Sequence, residues 1–82
     1  MFKKGVNMLE LYVMESCPYC KKVMSFLDEN NVSYSKMDIS NRENYDALLN
    51  LGGMEQVPFL NDTENNVKMY ESDDIIKYVS KL

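Results

Sequence analysis

Met8-Leu9-Glu10-Leu11-Tyr12-Val13-Met14, then Glu15-Ser16, then Cys17-Pro18-Tyr19-Cys20, is the stretch whose reading decides the fold. Its first seven residues are mostly apolar and rich in strand formers, and so short a run suits a buried central strand better than a helix. Pro18 then falls where a helix accepts proline, at its first position, because the N–H that proline lacks would have no intrahelical partner there. Cys20, Val23, Met24 and Leu27 follow at spacings of three and four, the mark of one buried helical face. A helix is therefore expected from Pro18 to Asn30, with the two cysteines at a strand-to-helix junction.

Working outward, Asn30 and Asn31 punctuate the end of that helix, and Val32 to Ile39 alternates loosely as a second strand before a turn at Ser40. Ser40 and Glu43 have the spacing of a capping box. Tyr45, Leu48 and Leu49 then make the buried stripe of a second helix ending at Gly52 and Gly53. Pro58 to Leu60 reads as a short third strand, Asp62 to Asn66 as a turn, and Val67 to Tyr70 as a fourth strand. Ser72 is expected to cap a last helix that buries Ile75, Ile76, Val79 and Leu82. Residues 1 to 7 form no pattern and are expected to be a short tail, leaving residues 8 to 82 as a single domain. A helical crossover makes the first two strands parallel. The expected class is α/β, a four-stranded mixed sheet with three helices in the order β-α-β-α-β-β-α, which is the order of the thioredoxin fold.

Composition narrows the function. A chain of 82 residues has room for one core and one site. With 45% hydrophobic and 27% charged residues it reads as a folded globular chain rather than a disordered one. The net charge of −4, with nine scattered Lys and Arg, excludes a nucleic-acid binder, which needs clustered cations to neutralise phosphates. No apolar run approaches the roughly 18 residues that span a bilayer. The N-terminal run is broken by Glu10 and lacks a small-residue cleavage site, so it does not read as a signal peptide. A cytoplasmic monomer that binds neither membrane nor nucleic acid is expected. The seven methionines form no Met-rich cluster and read as core filling rather than as ligands for a soft metal.

The chemistry lies in the cysteine pair. Two cysteines separated by two residues close almost no loop, so a disulfide between them contributes little stability and the pair reads as reactive rather than structural. At the start of a helix, unpaired backbone N–H groups and the positive end of the dipole stabilise a thiolate, which makes Cys17 the expected nucleophile. Cys20, one turn further in and more buried, is the expected resolving thiol. The chain has no histidine, so a Cys–His pair cannot activate the nucleophile and the helix terminus must. Lys21 and Lys22 add positive potential and Glu15 opposes it. A zinc or cluster site usually takes four Cys or His ligands, more than one chain supplies, so no metal and no tightly bound cofactor is expected.

Cys17-Pro18-Tyr19-Cys20, Val57-Pro58 and Glu71-Ser72-Asp73, in this order and spacing, make residues 8 to 82 resemble the glutaredoxins and the related N-terminal domain of glutathione S-transferases. The resemblance implies a thiol–disulfide oxidoreductase with glutathione as co-substrate and disulfide-containing proteins as partners. It further implies a cis Val57–Pro58 bond, although only about one X-Pro bond in twenty is cis. Val57 would then pair its backbone with the peptide part of glutathione. Ser72 and the free N–H groups of its helix would take the γ-glutamyl carboxylate, in the way helix N-termini bind anions. Asp73 aligns with the glutaredoxin aspartate that meets the γ-glutamyl group, and Glu71 with the glutamate of the transferase Glu-Ser pair. Tyr19 would flank the ligand with its ring.

The sequence departs from the family pattern at three places. Many glutaredoxins carry a lysine at the position of Met14, where it holds the glycine carboxylate, and here Lys21 or Gln56 would have to substitute. Gln56 stands where a threonine usually precedes Val-Pro, and Met69-Tyr70 replaces the usual Gly-Gly, as in the transferase-like branch. Conjugation is not expected, since a transferase needs a helical second domain and the sequence ends at the boundary of the first. Three other readings remain open: a redoxin reduced by a flavoprotein, a dimeric carrier of zinc or an iron–sulfur cluster, and a partner-binding module without activity.

Overall fold

The computed structural model describes residues 9–82. These form β1 (Leu9–Val13), α1 (Pro18–Glu29), β2 (Ser35–Asp38), α2 (Arg42–Gly52), β3 (Phe59–Asp62), β4 (Val67–Tyr70) and α3 (Ser72–Val79). The sheet order is β2-β1-β3-β4, with β1 and β2 parallel and the other pairs antiparallel. This is the thioredoxin-like α/β fold expected from the element order. The tail at residues 1 to 7, and Met8 at the start of the predicted first strand, lie outside the described residues.

Period-two alternation along β1 divides the core into two layers. Leu9, Leu11 and Val13 face α1 and α3 and pack with Cys20, Val23, Leu27, Leu60, Ile75 and Val79. Tyr12 points to the other face, where it packs with Phe59 and Leu48 beneath α2. The register enforces this split, because Leu11 pairs with Leu60 and Tyr12 with Phe59 across the β1–β3 ladder. Tyr12, Phe59 and Tyr70 form a chain of tilted rings with centroids 5.7 and 4.7 Å apart.

Several boundaries differ from the sequence reading, each for a local reason. α1 ends in a Schellman turn: Asn31 takes φ 56°, its N–H bonds Asp28 O at 3.2 Å, and Val32 N–H bonds Leu27 O at 2.9 Å. Val32 is therefore committed to the helix terminus, and β2 begins only at Ser35. The cap of α2 is Asn41 rather than Ser40. Asp38 Oδ1 accepts the Ser40 N–H at 2.9 Å, while Asn41 Oδ1 accepts from Glu43 and Asn44 N–H at 2.9 and 3.3 Å. The Ser40–Glu43 capping box consequently does not form. β3 starts after Pro58, which has no N–H for the ladder, and runs through Asn61 and Asp62, both buried. Leu82, expected in the core, is 65% exposed, because α3 ends at Val79.

Candidate active site

Three chain segments build the site. The first is the β1–α1 junction. Cys17 occupies the N-cap position of α1 with extended backbone angles (φ −83°, ψ 118°), Pro18 opens the helix, and the Cys17 N–H bonds Met14 O at 3.0 Å. Both cysteines are free thiols; Cys17 is partly exposed and Cys20 is fully buried. Burial pushes the Cys20 thiol up to about 12, with its hydrogen bond to Cys17 and the charge there adding to the rise and the Met14 backbone opposing it. At neutral pH Cys20 is a protonated thiol against its neighbour's sulfur. Glu15 does not turn its charge on the pair unopposed, since its carboxylate is bound by Lys36 of β2.

The second segment connects α2 to β3 and carries the Val57–Pro58 bond, which is cis, in agreement with the expectation from the family resemblance. A clamp holds this connection: the Tyr70 hydroxyl accepts the Met54 N–H at 3.1 Å and donates to Met54 O at 2.9 Å. Gly52 makes room for the clamp, because a Cβ there would lie 2.1 Å from the Tyr70 oxygen. Gly53 terminates α2 at φ 85°, a conformation natural to glycine. Nothing local in the sequence marked Tyr70 or Gly52 for this duty, since the clamp spans 16 residues.

The third segment is the start of α3. Ser72 is its first helical residue rather than its cap; the cap position belongs to Glu71, which has φ 77° and makes no side-chain capping bond. A positive φ at a glutamate is strained backbone, held here between β4 and α3. The first helical hydrogen bond runs from Ile75 N–H to Glu71 O, so the N–H groups of Ser72, Asp73 and Asp74 precede the ladder.

These segments enclose a cleft of about 360 Å³. Gln56, Val57 and Pro58 line one side, Glu71, Ser72 and Asp73 another, and Tyr19, 63% exposed on the first turn of α1, stands at the third. Tyr19, Val57, Glu71, Ser72 and Asp73, to which the family resemblance gave ligand roles, thus meet at one cleft with Pro58 and Gln56, whereas Lys21, the other suggested substitute for the missing lysine, does not line it. Cys17 packs on the same buried cluster as Val57. Among the described residues no lysine or arginine lines the cleft, and Met14, 43% exposed, brings no charge to it. Gln56 Nε2 donates to Glu71 Oε2 at 3.4 Å across the mouth. Lys22 Nζ donates to Asp73 Oδ1 at 2.6 Å and holds that carboxyl below the usual range. Sequence reading placed Lys22 only as a source of potential near the sulfur, because its partner lies 51 residues away. Among the described residues no three His, Cys, Asp or Glu side chains converge as a metal site, and no helix is long and apolar enough to cross a membrane.

A thioredoxin-like fold with two cysteines at the start of its first helix and a cis-proline before β3 defines the class as thioredoxin-fold proteins. Residues 11–82 match the family model described as the glutathione S-transferase N-terminal domain. Glutaredoxin 1 of Rickettsia conorii is 36% identical over 61 residues, covering 71% of this chain and 60% of that protein. Glutaredoxin 2 of Escherichia coli is 30% identical over 74 residues, covering 90% of this chain and 34% of that one. Salmonella typhimurium glutaredoxin 2, solved in complex with glutathione, superposes with a TM-score of 0.75 over 90% of this chain and 33% of its own, at 24% identity, a likeness of fold. The chain belongs to the glutathione S-transferase N-terminal-domain family and is similar to the glutaredoxins. It spans about 60% of the length of the rickettsial relatives.

Proposed function

We infer that the chain is a glutathione-dependent thiol–disulfide oxidoreductase acting on glutathione mixed disulfides and protein disulfides. In the first step the Cys17 thiolate attacks a disulfide sulfur, the S–S bond breaks, and the departing thiolate takes a proton. With a glutathionylated substrate, Cys17 keeps the glutathionyl group. A second glutathione thiolate then attacks its sulfur, forming glutathione disulfide and returning the Cys17 thiolate. With a protein disulfide, Cys20 gives up its proton and attacks the Cys17 sulfur, the substrate leaves as a dithiol, and two glutathiones reduce the Cys17–Cys20 disulfide. Burial keeps Cys20 in reserve as a thiol until a mixed disulfide at Cys17 presents it with a target.

The observation that carries this reading is the partly exposed Cys17 at the start of α1, packed on the same buried cluster as Val57, whose cleft ends at the N–H groups at the start of α3. A γ-glutamyl carboxylate would sit at those N–H groups and Ser72, its ammonium at Asp73 or Glu71, and its peptide portion along Val57, with Tyr19 and Gln56 flanking. The glutaredoxin relatives and the family match support glutathione as the thiol. We place residues 8–82 as a single domain working as a monomer in the cytoplasm, where a reducing pool suits a pair that must return to the dithiol.

A cleft that no lysine or arginine among the described residues lines favours a second reading, a redoxin of the same chemistry whose disulfide is reduced by a flavoprotein. Turnover of a glutathione mixed disulfide with glutathione as the only reductant separates the two. Turnover that vanishes in Cys17→Ser is the expected result, whereas an inactive protein with both thiols intact rejects glutathione as reductant.

A further inference from the structure

Asp73 lines the cleft, yet its carboxylate is already taken. Lys22 of α1, the helix that carries the thiols, donates to it at 2.6 Å and so joins the two helices across the rim of the cleft. Both side chains are open to water, 51% and 81% exposed, so solvent screens the pair and can replace either partner. Lys77 of α3 adds a weaker attraction to the same carboxylate, and Glu71 is bridged to Gln56 rather than to a cation. An ammonium entering the cleft therefore finds Asp73, one of the two carboxylates that line it, occupied by an exchangeable lysine.

We propose that Lys22 is a specificity-determining residue that competes with the ligand's ammonium for Asp73 and lowers the preference of the cleft for ammonium-bearing γ-glutamyl thiols. Binding of such a thiol exchanges one ion pair for another, Lys22–Asp73 for ammonium–Asp73, and leaves Lys22 to solvent. A thiol whose amine is blocked makes no such exchange and is indifferent to Lys22 at this point. Lys22 touches no reacting atom, so its effect belongs in KM rather than in kcat. The inference rests on the glutathione-dependent reading proposed above.

The experiment compares two mixed disulfides of 2-mercaptoethanol, one made with glutathione and one with N-acetylglutathione, both at saturating glutathione. The ratio of their kcat/KM values is the readout. Because the two substrates differ by one charge, the ratio also responds to any long-range change in potential, and the Asp73→Asn background separates that response from direct competition at Asp73. In Lys22→Gln the ratio should rise about two- to five-fold in favour of the free amine, the range expected for releasing one exposed ion pair. Lys22→Arg should keep the wild-type ratio, and the rise should vanish when Lys22→Gln is combined with Asp73→Asn. An unchanged or lowered ratio in Lys22→Gln, or a rise that persists without Asp73, overturns the competition while leaving glutathione dependence in place. Wild-type protein that turns over neither disulfide overturns the glutathione-dependent reading and the competition with it.

Discussion

Replacing Asp62 with asparagine probes how α3, and with it the Ser72 end of the cleft, is held to the sheet. Asp62 is 1% exposed and its two oxygens accept four hydrogen bonds: Glu64 N–H at 3.1 Å, Asn65 N–H at 3.2 Å, Asn65 Nδ2 at 2.8 Å and the Tyr78 hydroxyl at 2.5 Å. Tyr78 belongs to α3, so this carboxylate ties the β3–β4 turn to that helix. Burial alone would raise the carboxyl, but the bonds from Asn65, Tyr78 and Glu64 outweigh it and hold the group below its ordinary range. Asparagine preserves the shape and can still accept both backbone N–H groups, but it turns an NH₂ toward Asn65 Nδ2 and Tyr78. The hydroxyl can rotate to accept; the Asn65 amide cannot without flipping. The loss of one charged hydrogen bond and the weakening of the others, offset by removal of a buried charge, should cost about 2 kcal/mol. For a domain of this size that lowers Tm by roughly 8–16 °C. The sign with pH follows from the depressed carboxyl: its stabilisation is fully present above the unfolded value near 4 and is lost as pH falls through the folded value. Urea unfolding followed by circular dichroism should therefore show a constant gap between wild type and Asp62→Asn from about pH 5 to 8 and a closing gap at lower pH. Equal stability at pH 7, or a gap that persists undiminished at about pH 2, would refute this reasoning. Tyr78→Phe should show a smaller loss in the same direction, less than additive with Asp62→Asn.

Cys17→Ser should abolish glutathione-coupled disulfide reduction, whereas Cys20→Ser should retain partial activity on glutathionylated substrates, because that route needs only one cysteine; full activity of Cys17→Ser would remove the proposed nucleophile. Mass spectrometry after brief iodoacetamide treatment at neutral pH should find Cys17 modified and Cys20 spared, since Cys20 is sealed from solvent and its thiol is pushed up to about 12; equal labelling would contradict this. Gly52→Ala drives a Cβ into the Tyr70 hydroxyl and should cost about 1–3 kcal/mol while raising KM for glutathione, as the connection bearing Val57 and Pro58 loses its clamp. Tyr70→Phe should reproduce the rise in KM at a cost of about 1 kcal/mol, and an unchanged KM in both variants would show that the clamp does not position the cleft.

The features legible in the sequence were those set by interactions a few residues long. The short apolar run of strand formers through Leu9 to Val13, the three- and four-residue spacing of Cys20, Val23 and Leu27, and Pro18 at a first helical position establish the β1–α1 junction and put Cys17 at its tip. The positions of Val57-Pro58 and Glu71-Ser72-Asp73 identified the other two sides of the cleft, although through family resemblance rather than local physics. Only the tertiary structure decided which of two adjacent polar residues caps α2, because Asp38 claims the Ser40 N–H and leaves the role to Asn41. It likewise decided that Glu71, not Ser72, takes the cap position of α3. The pairs that shape the site, Lys22 with Asp73 and Tyr70 with Met54, join segments 51 and 16 residues apart. Propensity and periodicity act along the chain over a turn or two, whereas the partner of a side chain is chosen by whichever groups the packed layers bring within about 3 Å of it.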